Sequence, residues 1–293
     1  RQGACMGFDE GARLLFNRVS THGDSAMTEI VTQMTTCAGG LPAFIAAPAG
    51  PQKVPVIVLL HERYGLVPHT MDLARRHARE GYVCIAADYF FKHPDQDALH
   101  RGDSGYDMTD PESVDYMEAA IAALADTPQA DLSRIAVMGV CQTGRHPLVL
   151  AAHRKISAAL VWYGAAQGRE WEVNAKYPVA LDTLIDQADC PVLGMFGEGD
   201  HIISVDHVRR LRNALERTNK TYHVEIFGGA PHGWLNDTMP GRYRRDQAEA
   251  AWRTQRDFLA RAFAPKAEGA FIQQSYKADI SPNYDFSKNV RYE

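Results

Sequence analysis

Arg134-Ile135-Ala136-Val137-Met138-Gly139-Val140-Cys141-Gln142-Thr143-Gly144 runs an apolar strand into a Gly-x-Cys turn and out again into an amphipathic stretch. The same alternation extends on both sides of it. Short runs predict strands at Ala43 to Ala47, Val56 to Leu60, Val83 to Ala87, Ile135 to Val140, Ala158 to Trp162, Val192 to Phe196 and Val224 to Phe227. Most are four to six residues of Val, Ile, Leu and Ala, as strands buried on both faces should be. Between them, helices are predicted over Thr70 to Glu80, Ser113 to Leu124, Gln142 to His153, Val205 to Thr218 and Arg244 to Phe263. In the last of these, Ala248, Ala251, Trp252, Gln255, Phe258 and Leu259 form one buried stripe. Strands alternating with helices define an α/β protein whose mostly parallel central sheet carries helices on both faces.

The chain has 293 residues, with 31 Lys+Arg against 36 Asp+Glu, and its net charge of −5 excludes a strongly basic coat for nucleic acid. No apolar stretch approaches the ~20 residues that span a bilayer, so no membrane role is expected. Five cysteines (Cys5, Cys37, Cys84, Cys141, Cys190), an odd number without a C-x-x-C pair, speak against a disulfide framework or structural zinc and point to a reducing, cytoplasmic home. The first residues do not read as a secretory leader, and Met27-Thr28-Glu29-Ile30 reads as a plausible start. Without repeats or linkers in between, one domain is expected over 31–264, preceded by an extension over 1–30 and followed by an arm over 265–293. That arm sets Phe271, Tyr276, Tyr284, Phe286 and Tyr292 among polar residues. Its composition fits an extended arm lying on the domain or on a partner, including a homodimer formed through the arm, and fits a disordered tail equally well.

A strand that ends in Gly-x-Cys before a helix is a nucleophile elbow with Cys in place of Ser. The sharp turn needs a residue without a bulky side chain two places before the nucleophile, which Gly139 supplies. It also aims the Gln142 N–H at a forming oxyanion, and the helix start behind Cys141 favours thiolate. Taken alone, Cys141 reads equally as a small buried hydrophobe. The motif's fifth position, usually small, is Thr143, with Gly144 one place later. Two further strand ends complete a set. Gly197-Glu198-Gly199-Asp200 delivers an acid, and Gly228-Gly229-Ala230-Pro231-His232-Gly233 presents a histidine ahead of the last helix. Nucleophile, acid and histidine in that chain order match an α/β-hydrolase triad, in which His232 shares the Cys141 proton and Asp200 holds the other ring nitrogen.

Strand Val56 to Leu60 leads into His61-Glu62-Arg63-Tyr64-Gly65, where an α/β hydrolase places its second oxyanion N–H. With Glu62 ahead of that position, and with Gly-x-Cys, Asp200 and His232, the stretch from Leu41 to Phe263 resembles the dienelactone hydrolase family. The resemblance implies a single-domain α/β-hydrolase fold with a Cys-His-Asp triad and neither metal nor organic cofactor. It further implies that Glu62 contacts the resting Cys141 thiol and helps deprotonate it, while the N–H groups of Arg63 and Gln142 hold the oxyanion. Glu62 is otherwise a surface acid paired with Arg63 or Lys53. Family members that cleave dienelactones hold the substrate carboxylate with two arginines; Lys92 and Asn236 stand at the matching positions here. Lysine keeps the charge without the fork and Asn236 only hydrogen bonding, so the clamp should be weaker. Arg63 offers a replacement charge.

Tyr64, Phe90, Phe91, Trp162, Tyr163 and Trp234 suggest an aromatic-lined pocket, and residues 93–115 a loop or small cap over it. The function expected is hydrolysis of a small ester or lactone through an acyl-thioester. The alternatives are a general carboxylesterase or thioesterase without carboxylate preference and, from another class, a non-catalytic binding or thiol redox-sensing protein.

Overall fold

The computed structural model describes residues 28–265 and 273–293. The extension expected over 1–30 therefore lies almost wholly outside the described residues, as does Phe271 of the arm. Nine strands form one sheet in the order β1-β2-β4-β3-β5-β6-β7-β8-β9. They are β1 (Ile30–Cys37), β2 (Leu41–Pro48), β3 (Val54–Leu60), β4 (Val83–Ala87), β5 (Ala130–Val140), β6 (Ala158–Trp162), β7 (Val192–Gly199), β8 (Tyr222–Pro231) and β9 (Gln274–Ala278). β2 is antiparallel to both β1 and β4, and every other pair is parallel.

Strand periodicity sorts the core into two layers. Val56, Val58 and Leu60 of β3 join one cluster, with α2 (Gln96–Arg101), α3 (Asp110–Ala123), α4 (His146–His153), α5 (Leu181–Gln187) and α6 (Val205–Arg217). Ile57 and Leu59 join the other, beneath α1 (Pro68–Arg79) and α7 (Arg245–Ala262). The stripe expected on the last helix is buried as a unit.

Two strands went unread in the sequence. β1 mixes Thr and Gln among its apolar residues because it is a half-exposed edge. β9, from the arm, adds in parallel to β8, so the arm lies on its own domain. The helix expected from Gln142 begins at His146, behind a short 3-10 turn over Cys141–Thr143. Pro147 sits at its start, where proline is tolerated. Among the described residues, no helix is long and apolar enough to cross a membrane.

β3 is followed by β4 on one side, and β5 then returns to its other side. The β3/β5 boundary is thus the topological switch point, and the crevice beyond the carboxyl ends of these strands is where an open α/β sheet binds ligands.

Candidate active site

The turn after β5 holds Cys141 at φ 59°, a left-handed conformation that non-glycine residues adopt under strain. Such a turn demands close backbone approach. A Cβ on Gly139 would lie 2.4 Å from the Thr143 carbonyl oxygen, and one on Gly144 would lie 2.4 Å from the Gly164 Cα. Gly144 therefore supplies the close packing usually given by the motif's fifth residue. Thr143 does something else: its buried hydroxyl accepts the Val140 N–H (3.1 Å) and faces the His61 carbonyl (2.9 Å), tying the elbow to the end of β3.

Three strand ends bring the expected triad together. Cys141 Sγ, half-buried, lies 3.0 Å from His232 Nε2, and His232 Nδ1 lies 2.7 Å from Asp200 Oδ2. The other Asp200 oxygen accepts the N–H groups of Ile202 (2.7 Å) and Ile203 (2.9 Å). Burial alone would lower the His232 pKa. The charges and hydrogen bonds of Asp200 and Cys141 outweigh it and hold the imidazole well above its ordinary range. His201, edge-on to His232 at 5.8 Å, moves the opposite way, lowered by burial and by the neighbouring His232.

Glu62 is buried beside this triad but makes no hydrogen bond to the thiol. Its oxygens accept the Tyr163 hydroxyl (3.0 Å) and the Asn236 side-chain amide (2.6 Å). Asn236 is accordingly a partner of Glu62 in the interior, not the substrate clamp its position suggested. Tyr163 packs edge-on to His232 at 5.3 Å, and burial, then the Glu62 charge, raises its hydroxyl pKa. The loop that presents it is strained, with positive φ at Tyr163, Ala165 and Ala166.

A cavity of about 470 Å³ opens on Cys141 and His232, walled by Arg63, Tyr106, Asp107, Gln142, Gln167, Arg169, Lys176 and Ile202. The Gln142 N–H belongs to the first turn behind Cys141, where amides lack intrahelical acceptors. Arg63 donates to the carbonyls of Gly102 (3.0 Å) and Ser104 (3.1 Å), joining the site to the segment over 93–115. That segment adds Gly105, Tyr106 and Asp107 to the wall.

Lys92 stands apart from this cavity. It is exposed, 3.9 Å from Glu112, with its ammonium over the rings of Phe91 and Tyr116. Phe90 is buried against the His61 ring (4.5 Å), and Trp234 is buried among Trp162, Tyr163 and Phe227. Both are core, not pocket. Tyr64 remains at the site, in a side hollow with Glu62, Cys141, His201, His232, Arg242 and Arg291. The cations that do wall the main cavity beyond Arg63, Arg169 and Lys176, lie in the long loop between β6 and α5. Seven residues apart, with Glu170 and Glu172 between them, they gave no sequence signal. Among the described residues, no group of His, Cys, Asp or Glu is arranged to hold a metal ion.

Among the described residues, a nine-stranded, mostly parallel sheet with helices on both faces and with Cys141, Asp200 and His232 in one line at the ends of β5, β7 and β8 has the α/β-hydrolase fold. The model of the dienelactone hydrolase family matches residues 41–263, and the chain belongs to that family of hydrolases acting on ester and lactone bonds. Relatives include a Yersinia pestis protein named "Putative carboxymethylenebutenolidase", 30% identical over 75% of this chain and 83% of its own length. An Escherichia coli K12 protein of the same name is 29% identical over 84% of this chain and 92% of its own. Among solved structures, one titled "Putative Dienelactone Hydrolase" from Klebsiella pneumoniae superposes with a TM-score of 0.69 at 26% identity, covering 79% of this chain and 98% of that one.

Proposed function

We propose that the protein hydrolyses a small, carboxylate-bearing ester or lactone with Cys141 as nucleophile. The observation that carries this reading is the continuous Cys141–His232–Asp200 hydrogen-bonded line at 3.0 and 2.7 Å. The Sγ–Nε2 hydrogen bond lets the Cys141 proton pass to His232, so that a thiolate meets the substrate. The thiolate attacks the carbonyl carbon, and the N–H groups of Arg63 and Gln142 receive the oxyanion. His232 gives its proton to the leaving oxygen as the C–O bond breaks, which leaves an acyl-thioester on Cys141. Neutral His232 then takes a proton from water, the hydroxide adds to the thioester, and collapse expels the thiolate while Asp200 steadies the imidazolium. In this reading Glu62 is a positioning residue. It fixes Tyr163 against His232 without touching the thiol in the resting arrangement.

The wall chemistry supports an anionic substrate. Lys176 is already paired with Asp107 at 2.7 Å and Arg63 is tied to two carbonyls, while the exposed Arg169 guanidinium makes no ion pair among the described residues. Arg169 is thus the group assigned to the substrate carboxylate, with Arg63 adding charge.

The test compares dienelactone and p-nitrophenyl acetate as substrates for wild type, Cys141→Ala and Arg169→Ala. Cys141→Ala is expected to abolish turnover of both. Arg169→Ala should raise KM for dienelactone about tenfold, the effect of losing ~1.4 kcal/mol of charge-assisted hydrogen bonding, and spare the neutral ester. Turnover by Cys141→Ala would sink the mechanism. Equal effects of Arg169→Ala on both esters would leave a carboxylesterase without carboxylate preference. Iodoacetamide labelling of Cys141 without hydrolysis of either would favour a thiol sensor.

A further inference from the structure

The arm after α7 lies beyond the segment matched by the family model, which ends at residue 263. Its first part, β9, pairs with β8, the strand that carries His232 at its end. The chain then turns back along the loops that hold the triad. Asp279 N–H donates to the Ile226 carbonyl (3.0 Å). The buried Glu198 carboxylate, in the turn that delivers Asp200, accepts the N–H of Ser281 from the arm and that of Gly229 (2.9 Å) from the loop leading to His232. The Tyr284 hydroxyl accepts the N–H of Val205 (3.0 Å) where α6 leaves the same turn, and the Tyr292 carbonyl accepts from Arg242 Nε (2.6 Å) beside the side hollow.

Between these anchors stands Asn289, half-buried. Its side-chain NH2 donates to two main-chain carbonyls, those of Glu198 and Asp200, at 2.9 Å each. The match is stoichiometric: two amide hydrogens and two carbonyls on either side of Gly199. The turn needs such support. β7 and β8 lose register between Gly197 and Gly199, and the Asp200 N–H reaches the Gly197 carbonyl only at 3.4 Å. The position of the Asp200 backbone thus depends on contacts from outside the sheet ladder.

We propose that the C-terminal arm is a working part of the active site, a strap in which Asn289 is a positioning residue that holds the Asp200 turn, and through it His232, in register with Cys141. The proposal rests on the reading of these three as the reacting groups. The strap differs from a passive cover in acting at the acid: its side chains and amides meet the turn at residues 198, 200 and 205.

The test uses the full chain with Asn289→Leu, which keeps the shape and removes both donors, and Asn289→Gln, which keeps the amide. Loosening Asp200 by a fraction of an ångström should lower kcat/KM roughly tenfold to a hundredfold. It should also move upward the pH at which iodoacetamide begins to alkylate Cys141, because the imidazolium that pairs with the thiolate loses its anchor. The other titratable and charged groups facing His232 are His201, Tyr163 and, in the side hollow, Glu62, Arg63, Tyr64, Arg242 and Arg291; both variants leave them in place. Asn289→Gln should recover most of the rate and the wild-type pH range.

A lower melting temperature in Asn289→Leu with unchanged kcat/KM and alkylation profile, both read well below melting, would overturn the proposal and leave the arm a purely structural element. If Asn289→Leu does not fold, Asn289→Ser, which retains one donor, takes its place and is expected to show a smaller loss with the same upward shift of the alkylation profile; wild-type behaviour there would equally overturn it. Cys141→Ala is assayed beside these. Hydrolysis by that variant would remove the underlying reading, whereas an inert Cys141→Ala beside a wild-type-like Asn289→Leu would remove the strap alone.

Discussion

Gly164 follows Tyr163 at the end of β6 and touches the back of the nucleophile elbow. Its φ lies outside the left-handed region, so alanine is permitted by the backbone and the effect of Gly164→Ala is steric. The added Cβ would lie 2.4 Å from the Cys141 carbonyl oxygen, 2.5 Å from the Gly144 Cα and 2.9 Å from the Gly144 nitrogen. All three are main-chain atoms, which cannot rotate away. To bring the carbonyl oxygen out to 3.0 Å, the elbow and the β6 loop must part by about 0.6 Å. A displacement approaching 1 Å at a reacting group lowers rate by up to ~100-fold. Gly164→Ala is therefore expected to lower kcat/KM by roughly 10- to 100-fold. Overpacking of this kind destabilises by about 1–3 kcal/mol, a fall in melting temperature of a few degrees or more for a domain of this size. The assay is ester hydrolysis with a parallel thermal melt. Wild-type kcat/KM in a variant that melts like wild type would refute the idea that Gly144–Gly164 contact sets the position of Cys141.

Arg145 is almost completely buried, its Nε and Nη2 donating to Asp110 (3.0 and 2.8 Å) and its Nη1 to the Glu170 carbonyl (3.1 Å), and its guanidinium stacks on Tyr177 at 4.5 Å. Arg145→Ala leaves Asp110 an uncompensated interior charge and should destabilise by ~3–5 kcal/mol in urea unfolding; a loss under 1 kcal/mol would contradict the assignment. His77 and His146 are fully buried and held neutral, each lowered to about 3 by desolvation first and then by neighbouring cations. Their unfolded-state values stay near 6.5, so the unfolded chain binds protons that the native chain refuses. Their contribution to stability is complete above pH 6.5 and is lost as pH drops toward 3, by about 2 kcal/mol per histidine at pH 5. His77→Leu should flatten that acid slope by about half, and a urea midpoint independent of pH between 6.5 and 5 would exclude the mechanism. Lys92→Ala is expected to leave KM for an anionic ester within about twofold of wild type, since the exposed ammonium meets only Glu112 and two rings. A tenfold rise in KM would restore Lys92 to the substrate clamp.

What the sequence made legible follows from the physics of strand ends. Cys141, Asp200 and His232 each terminate a run of apolar residues, and a parallel sheet buried on both faces places such ends along one edge. Chain order alone was then enough to bring them together. The side chains around them obey no such period. Trp234 lies two residues from His232, yet the turn sends His232 to the cavity and Trp234 into the aromatic cluster with Trp162. Asn236 likewise turns inward to Glu62, a contact across 174 residues that no local pattern announces. β1 was hidden by its polar residues, although Gly39 and Gly40, both at positive φ, form the hairpin signal that marks it.

The cationic side chains show the same division at the level of the cavity. Arg169 and Lys176 come from an irregular loop whose path is set by packing rather than by period, and Lys92, read from its distance past β4, falls outside. The parallel strands thus bring Cys141, His232 and Asp200 to one edge of the sheet, while irregular segments determine what lies around them. The arm extends that logic to the acid. Asn289 carries no sequence mark, and its assignment depends wholly on two carbonyls at 2.9 Å from its side chain. One of these carbonyls belongs to Asp200, whose carboxylate anchors His232, and the other to Glu198 two residues before it, so the most distant segment of the described chain converges on the same hydrogen-bonded line as the elbow.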